Sequence, residues 1–299
     1  MLWRNAVASA RERPAYLAEK DSGWVEVSWA EAGQRVDDIA SGLLSLGVRK
    51  GDTFAILAST SLEWCLFDFA LGLIGAIGAP VYANSSPRDC AYVIDHSDSV
   101  GVLAEDAEQL AKIEETRAQL PRLRHVLTFA DLPGLEARGR GFAAEHPRAL
   151  DEASAQVGEE DLFTYIYTSG TTGPPKACMI RHRNYYEMAA VVEKMPTRVV
   201  GPDDTLLLYL PLAHNYGRLI HLQAVYVGYT LAFCRDPLRV GEALAGVRPT
   251  VFPSVPRVYE KVHAALIARM DEARGLQRMI GSWALRIGRE RRTAGVGDA

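Results

Sequence analysis

Apolar runs of strand length alternate with stretches of helical period along most of this chain. The clearest run, residues 53–58 (TFAILA), has the unbroken apolar character of a strand that is buried on both faces. Similar runs occur at residues 100–104, 162–167 and 205–210, and helical patterns separate most of them. Parallel strands need such a crossover between them. The order therefore predicts an α/β fold of layered, mostly parallel β-sheets with flanking helices.

Local signals predict where two of the helices begin. Ser28 with Glu31, and Thr60 with Glu63, have the spacing of capping boxes. The second of these helices is predicted to continue to about Gly78. Three glycines follow one another within it at intervals of three residues, and they predict a close approach to a neighbouring element.

Residues 131–160 have the least regular pattern in the chain. Gly134, Gly139, Gly141 and Pro147 lie there among acidic residues, and such a stretch predicts a surface connection. We therefore expect two subdomains, at roughly residues 1–160 and 161–299.

Composition excludes several classes of protein. Hydrophobic residues make up 48% of the chain and charged residues 23%, with a net charge of −4, so neither a disordered chain nor a nucleic-acid partner is expected. The arginine-rich run at 285–292 is typical of a solvated helix end. The most apolar window, residues 69–83, is shorter than the roughly 20 residues of a membrane span. The cysteines are scattered without the spacing of a metal or redox motif, which favours a reducing, cytoplasmic location; they are Cys65, Cys90, Cys178 and Cys234.

One loop carries residues suited to a polyphosphate. Directly after the strand at 162–167 the chain reads Thr168-Ser169-Gly170-Thr171-Thr172-Gly173-Pro174-Pro175-Lys176. The two glycines allow the backbone N–H groups to face an anion, and the hydroxyls add neutral donors that can also bind Mg²⁺. The prolines stiffen the exit, so that Lys176 is held as a positioned charge.

This loop does not have the pattern of a Walker A motif. Pro175 stands where that motif has its second glycine, and Lys176 is followed by Ala177 and a strand-like run instead of Ser or Thr and a helix. A kinase or P-loop NTPase is therefore disfavoured. A plain glycine-rich hairpin remains the alternative, although hydroxyls at four positions exceed what any turn type demands.

The string YTSGTTGPPK resembles the phosphate-binding loop of the adenylate-forming superfamily, which includes acyl-CoA synthetases, luciferases and peptide-synthetase adenylation domains. The family usually has Gly where this chain has Ala177. The resemblance extends over nearly the whole chain, in order and spacing, through residues 43–57, 62–87, 92–106 and 210–218 (LPLAHNYGR). Residues 251–262 (VFPSVPRVYEKV) are similar to the long-chain fatty-acyl-CoA synthetase branch in particular.

The resemblance implies an AMP-forming acid–CoA ligase, which converts a long-chain fatty acid, ATP and CoA into acyl-CoA, AMP and pyrophosphate through an acyl-adenylate. Lys176 and His214 are then the expected catalytic residues, and Thr168 is the hydroxyl expected to contact Mg²⁺. The implied nucleotide-binding residues are those of the loop, namely Thr168, Ser169, Gly170, Thr171, Thr172, Gly173 and Lys176. The implied partners are small molecules. Peripheral contact with a membrane and the oligomeric state stay open.

Two histidines lie in or near residues 210–218. A single His in a mixed stretch is usually structural, but the position of His214 after Leu210-Pro211-Leu212 and the resemblance together favour a contact with the acyl carboxylate. His221 lies seven residues further on. Two histidines without a third ligand make a poor zinc site, so we expect His221 to serve packing.

Several residues that the family uses have no counterpart in this sequence. They include the Glu of a Gly-Tyr-Gly-x-Thr-Glu string, the Asp that holds the ribose, and the Lys of a small C-terminal domain. We therefore expect the chain to be a partial N-terminal AMP-binding domain that does not turn over by itself. A non-catalytic nucleotide-binding scaffold, a degenerate half-enzyme and a fatty acyl-AMP ligase without CoA transfer are the alternatives.

Overall fold

The computed structural model describes residues 2–9, 11–20, 23–168, 173–195 and 199–272, with scattered positions between 275 and 290. By its internal contacts the chain divides into two compact units, residues 1–253 and 254–299. The larger unit contains both β-sheets. The smaller contains the helix Pro256–Glu272, and half of the arginine-rich run at 285–292 lies outside the described residues.

Strands and helices alternate along most of the described residues, as the sequence pattern predicts. The strands are β1 (Tyr16–Lys20), β2 (Gly23–Val27), β3 (Thr53–Leu57), β4 (Ile77–Val81), β5 (Ser99–Ala104), β6 (His125–Thr128), β7 (Leu162–Thr168), β8 (Lys176–Arg181), β9 (Thr205–Leu208) and β10 (Thr230–Phe233). The helices are α1 (Leu2–Ala8), α2 (Trp29–Ser45), α3 (Leu62–Leu73), α4 (Pro87–His96), α5 (Ala107–Thr116), α6 (Leu132–Glu145), α7 (Ala149–Ala155), α8 (His182–Ala190), α9 (Asn215–Val227), α10 (Val240–Val247) and α11 (Pro256–Glu272).

The larger sheet has six strands in the order β6-β5-β3-β4-β7-β8. The pairs from β6 to β7 are parallel, and β8 returns antiparallel to β7. Every residue of β3 is buried, because helices cover both faces at the centre of such a sheet. The α/β fold of mostly parallel sheets is thereby confirmed.

The smaller sheet has four strands in the order β2-β1-β10-β9. β1 and β9 run parallel to β10, and β2 is antiparallel to β1. Both sheets contain strands from before and after residue 160. The subdivision near that residue stays a prediction.

The prediction for the start and end of α3 was wrong. Its N-cap is Ser61, whose hydroxyl accepts from the backbone N–H of Trp64. Thr60 instead donates to the carbonyl of Leu210, at 2.7 Å. The helix ends at Leu73 because Gly75 adopts a φ of +72° and turns the chain into β4. Ser28, by contrast, caps α2 as predicted.

The glycines of α3 and β4 do allow close approach. A Cβ on Gly72 would lie 2.7 Å from the ring of Phe163, and one on Gly78 would lie 3.1 Å from a carboxylate oxygen of Asp68. The first distance is shorter than real Cβ contacts, so a side chain at Gly72 would displace Phe163. This expectation is confirmed.

The irregular connection expected at residues 131–160 is also wrong, because the chain forms α6 and α7 there. Helix α6 packs against α2 at two glycines. A Cβ on Gly139 would lie 1.8 Å from the carbonyl oxygen of Asp38, and one on Gly42 would lie 2.5 Å from that of Leu135. These glycines are contact points between helices, and their local helix-breaking tendency is overcome by the packing.

Candidate functional site

The predicted phosphate loop lies at the end of the β7–β8 hairpin. Thr168 ends β7 and pairs directly with Lys176, the first residue of β8. Opposite residues of an antiparallel pair project to the same face, so the side chains of Thr168 and Lys176 leave the hairpin on one face at the mouth of the loop. Both residues are exposed. Ser169, Gly170, Thr171 and Thr172 lie outside the described residues.

The exit of the loop has the backbone that its sequence predicts. Gly173 has a φ of +85°, a conformation that L-residues rarely adopt. Pro174 and Pro175 follow and lead into β8. Ala177 is a regular strand residue opposite Tyr167. Because its φ is not positive, a methyl group is accommodated where the family usually has Gly.

Contacts between the strand ends bring the loops of the two sheets together. Thr60, shortly after β3, donates to the carbonyl of Leu210, shortly after β9, at 2.7 Å. Glu105 follows β5 and forms an ion pair with Arg235, which follows β10. The carboxyl ends of the parallel strands in both sheets therefore meet, and ligands of open α/β sheets bind at such edges.

His214 caps the N-terminus of α9. Its Nδ1 accepts a hydrogen bond from the backbone N–H of Tyr216, at 3.2 Å. An accepting Nδ1 assigns the proton of the neutral ring to Nε2, so the exposed edge of His214 presents a hydrogen-bond donor. On the following residue, Asn215, the side-chain oxygen accepts from the Tyr185 hydroxyl at 2.7 Å.

The structure does not bring His214 into contact with Lys176. Within the described part of the chain, the hydrogen bonds of His214 are those to Pro211, Tyr216 and Arg218 in its own turn. The loop and His214 are connected instead through the buried side chain of Arg218, one turn into α9.

Arg218 joins α9 to the strand that leads into the loop. Its guanidinium donates to the hydroxyl of Thr164 on β7 and to the carboxylate of Asp68 on α3. The Arg218 and Asp68 side chains have no exposed surface. The guanidinium carbon also lies 4.8 Å from the ring centre of Phe163 and 5.2 Å from that of Trp64. One arginine thus fixes β7 and α9 relative to each other.

Burial and the ion pair act in opposite directions on Asp68. Loss of hydration raises the pKa of its carboxyl to about 6, although the neighbouring Arg218 lowers it. One carboxylate oxygen of Asp68 and the Nε of Arg218 have no hydrogen-bond partner in the described part of the chain. The pair therefore fixes geometry at a cost in hydration.

His221 is fully buried, and its ring centre lies 4.5 Å from that of Phe69. Burial lowers the pKa of His221 to about 3, with a smaller contribution from Arg218. Neither ring nitrogen has a partner among the described residues. No three His, Cys, Asp or Glu side chains converge as a metal site in those residues. This environment supports the expected packing role.

Sequence reasoning assigned no role to Arg218 or to Asp68. A signal was present in the sequence, because Asp68 interrupts an otherwise apolar stretch, residues 64–73 (WCLFDFALGL). A carboxylate inside a buried helix requires a partner. Its identity was hidden because Arg218 lies 150 residues away in the chain.

Residues 3–295 match the family of AMP-binding enzymes. The chain belongs to this family. It is 35% identical over 259 residues to the long-chain-fatty-acid–CoA ligase FadD15 of Mycobacterium bovis, covering 85% of this chain and 43% of that protein. It is 29% identical over 280 residues to the long-chain-fatty-acid–CoA ligase heimdall of Drosophila melanogaster, covering 87% and 40%.

Solved structures show the same fold. The N-terminal domain of FACL13 from Mycobacterium tuberculosis, solved with an inhibitor, superposes with a TM-score of 0.74 at 24% identity, covering 86% of this chain and 62% of that one. The chain spans less than half the length of the two curated relatives named above. Its predicted membership of the adenylate-forming superfamily, with long-chain ligases among its relatives, is confirmed. None of the helices in the described residues is long and apolar enough to cross a membrane.

Proposed function

We propose that this chain is the phosphate-binding N-terminal portion of an AMP-forming long-chain fatty-acid–CoA ligase. The observation that carries the proposal is the β7–β8 hairpin, which sets Thr168 beside Lys176 at the carboxyl edge of the large sheet. The relatives named as long-chain-fatty-acid–CoA ligases support the substrate class. We place the reaction in the cytoplasm.

In the proposed reaction, a carboxylate oxygen of the fatty acid attacks the α-phosphorus of ATP. A P–O bond breaks, pyrophosphate leaves and an acyl-adenylate forms. The thiol of CoA then attacks the acyl carbon and displaces AMP. Nucleotidyl transfer of this kind needs mainly positioning and charge neutralisation from the protein.

The loop from Thr168 to Lys176 holds the β- and γ-phosphates in this proposal. The positive φ of Gly173 supports a turn whose N–H groups face an anion. The Lys176 ammonium neutralises the charge that grows on the departing pyrophosphate. Its exposure at the mouth of the loop leaves it free to reach the phosphates.

The residues present fit a Mg²⁺ ion that is bound mainly through the nucleotide. Mg²⁺ keeps several waters and takes substrate phosphates with one or two protein oxygens. The exposed Thr168 hydroxyl at the end of β7 is such an oxygen. When bound there, the ion would supply charge neutralisation on the phosphates.

His214 acts at the other end of the reacting group. With Nδ1 occupied by the N–H of Tyr216, its Nε2–H is a donor that can orient the fatty-acid carboxylate. A general-base role would need an accepting Nε2 and would displace the hydrogen bond that caps α9. We therefore assign His214 to orientation.

Two measurements test the proposal. The purified chain is expected to bind MgATP in isothermal titration, and not to release pyrophosphate when given ATP, Mg²⁺ and palmitate. We expect no turnover because the chain spans under half of the two curated relatives named above, and each transition-state donor that the reaction lacks would cost on the order of 10²–10³ in rate.

The outcomes separate the alternatives. Absence of MgATP binding would contradict the proposed phosphate site. Turnover near that of a complete ligase would contradict the claim that the chain is only a portion of the enzyme. In a protein extended by the C-terminal part of a relative, acyl-AMP formation without acyl-CoA would favour an acyl-AMP ligase, and neither product would favour a nucleotide-binding scaffold.

A further inference from the structure

Helix α4 lies against both stems of the phosphate loop. Its residues Tyr92 and His96 are four apart and share one helix face, with ring centres 5.2 Å apart. At the entry to the loop, His96 Nδ1 lies 3.0 Å from the hydroxyl of Tyr167, the residue before Thr168. At the exit, the Tyr92 hydroxyl donates to the carbonyl of Pro175, at 2.8 Å.

The two residues that precede Lys176 lack backbone donors. Pro174 and Pro175 have no N–H and cannot donate to the hairpin ladder. The carbonyl of Pro175 belongs to the peptide group that leads into Lys176. A hydrogen bond to that carbonyl therefore orients the peptide group that is bonded to the Cα of Lys176, and with it the direction in which the lysine side chain leaves the backbone.

Tyr92 is itself firmly placed. It is partly buried and packs against the apolar cluster formed by β3, β4, β5 and α4. Its ring meets that of Tyr167 edge-on, with centres 6.4 Å apart. Helix α4 is capped by Ser86, whose hydroxyl accepts from the N–H of Asp89 at 3.2 Å. The Tyr92 hydroxyl therefore sits on a rigid support.

We propose that Tyr92 is a positioning residue of the nucleotide site, which holds the peptide between Pro175 and Lys176 so that the lysine ammonium reaches the β- and γ-phosphates of ATP. This inference rests on the proposed function of the loop. It adds a residue from a different helix, 83 positions earlier in the chain than Pro175, that acts only through Lys176.

Tyr92→Phe tests the inference by removing a single hydroxyl. Tyr226→Phe is the matched control, since it deletes a hydroxyl with a comparable hydrogen bond, 2.6 Å to Glu193, at the far end of α9. In hydrogen exchange on the free chain, the amides of Lys176 and Ala177 are expected to exchange faster in Tyr92→Phe and to be unchanged in Tyr226→Phe. The melting temperature is expected to stay the same in both, because Pro175 is only partly buried and water can replace the hydroxyl.

Nucleotide titration separates positioning from a general structural role. Tyr92→Phe is expected to weaken the binding of MgATP about fivefold, which is the effect of one hydrogen bond. The affinity for AMP is expected to stay unchanged, since AMP lacks the β- and γ-phosphates that Lys176 contacts in this proposal. In a Lys176→Met background, Tyr92→Phe is expected to cause no further loss, because a residue that acts only through the lysine has nothing left to position.

Each other result has a distinct meaning. Three results would overturn the role of Tyr92 and leave the proposed phosphate site intact. They are unchanged hydrogen exchange at the Lys176 amide, an equal loss of affinity for ATP and AMP, and a further loss of MgATP affinity when Tyr92→Phe is added to Lys176→Met. Failure of the unmutated chain to bind MgATP would overturn the proposed function itself and this inference with it. A Lys176→Met variant that binds MgATP equally well would overturn this inference alone, because the lysine would then make no contact with the phosphates of bound ATP.

Discussion

The centre and the edge of the large sheet differ sharply in what surrounds them. All five residues of β3 are buried, whereas no residue of β8 is buried and Met179 at its middle is 65% exposed. Both strands read as apolar runs in the sequence. An apolar run therefore predicts a strand, and the place of that strand in the sheet decides whether its side chains form a core or an open surface.

The exposed apolar character continues from β8 into the helix that follows. The large side chains that α8 and the turn after it leave open are Tyr186, Met188, Val191 and Met195. Lys176, which begins β8, lies at the same edge. The proposed chemistry thus lies on the exposed edge of the sheet, whereas the buried apolar side chains that stabilise the fold lie at its centre.

The largest effect is expected where a charge is buried behind the centre of the sheet. Arg218→Leu leaves the Asp68 carboxylate buried without its partner, and breaking such a pair costs about 3–5 kcal/mol. Urea unfolding measures the loss. The double variant Asp68→Leu/Arg218→Leu is expected to recover much of it, because no lone charge remains buried. A double variant as unstable as Arg218→Leu would contradict this account.

A matched pair of truncations compares centre and edge directly. Ile56→Ala in β3 removes a fully buried side chain and is expected to cost about 2–5 kcal/mol. Met179→Ala in β8 is expected to change the free energy of unfolding by about 0.5 kcal/mol or less. Chemical denaturation of both variants checks the difference, and similar losses would erase the distinction between the two strands.

The same open face is expected to bind a hydrophobic dye or to make the chain self-associate. Met179→Ala combined with Met188→Ala should reduce dye fluorescence without lowering the melting temperature. A chain that stays monodisperse and binds no dye would indicate that these side chains are covered in solution.

Lys176 tests the chemistry at the edge. In a protein extended by the C-terminal part of a relative, Lys176→Met is expected to slow single-turnover acyl-AMP formation. The activation free energy should rise by about 2–4 kcal/mol, as for the loss of a preorganised donor. Its stability is expected to change by about 0.5 kcal/mol or less, since Lys176 is exposed. An unchanged rate would mean that the loop is an ordinary hairpin.

A small effect on stability at neutral pH is expected at His221. His221→Phe removes two buried ring nitrogens that have no partner among the described residues and keeps an aromatic contact with Phe69. The free energy of unfolding at pH 7 is expected to change by about 1 kcal/mol or less, because burial of the new ring offsets imperfect fit.

The pH dependence of the free energy of unfolding tests the state of His221 more sharply. The pKa of His221 is lowered from 6.5 to about 3 in the folded protein, so between these values the unfolded chain binds a proton that the folded protein does not. Stability therefore falls as the pH falls through this window. His221→Phe is expected to lose less stability between pH 6.5 and 4 than the unmutated chain, and parallel curves would show that another group controls the acid limb.

Much of the local structure follows from local patterns. The buried run of β3, the cap at Ser28 and the turn at Gly173 were readable because each depends on a few adjacent residues. The residue types of the loop from Thr168 to Lys176 are local in the same sense, and the chemistry they indicate stays a prediction. Residues 132–145 were misread, since Gly139 is a helix breaker by propensity and a packing residue only in the presence of α2.

Local residue patterns were enough to predict the alternation of strands and helices, the loop motif and the family. The packing of distant elements set the position of β10 between β1 and β9, the contact of Arg218 with Asp68, and the hydrogen bond from Tyr92 to the exit of the loop. The physical reason is separation along the chain. Propensity and periodicity act over a few residues, whereas the partner of a buried charge or a bare carbonyl is set by which distant elements pack together.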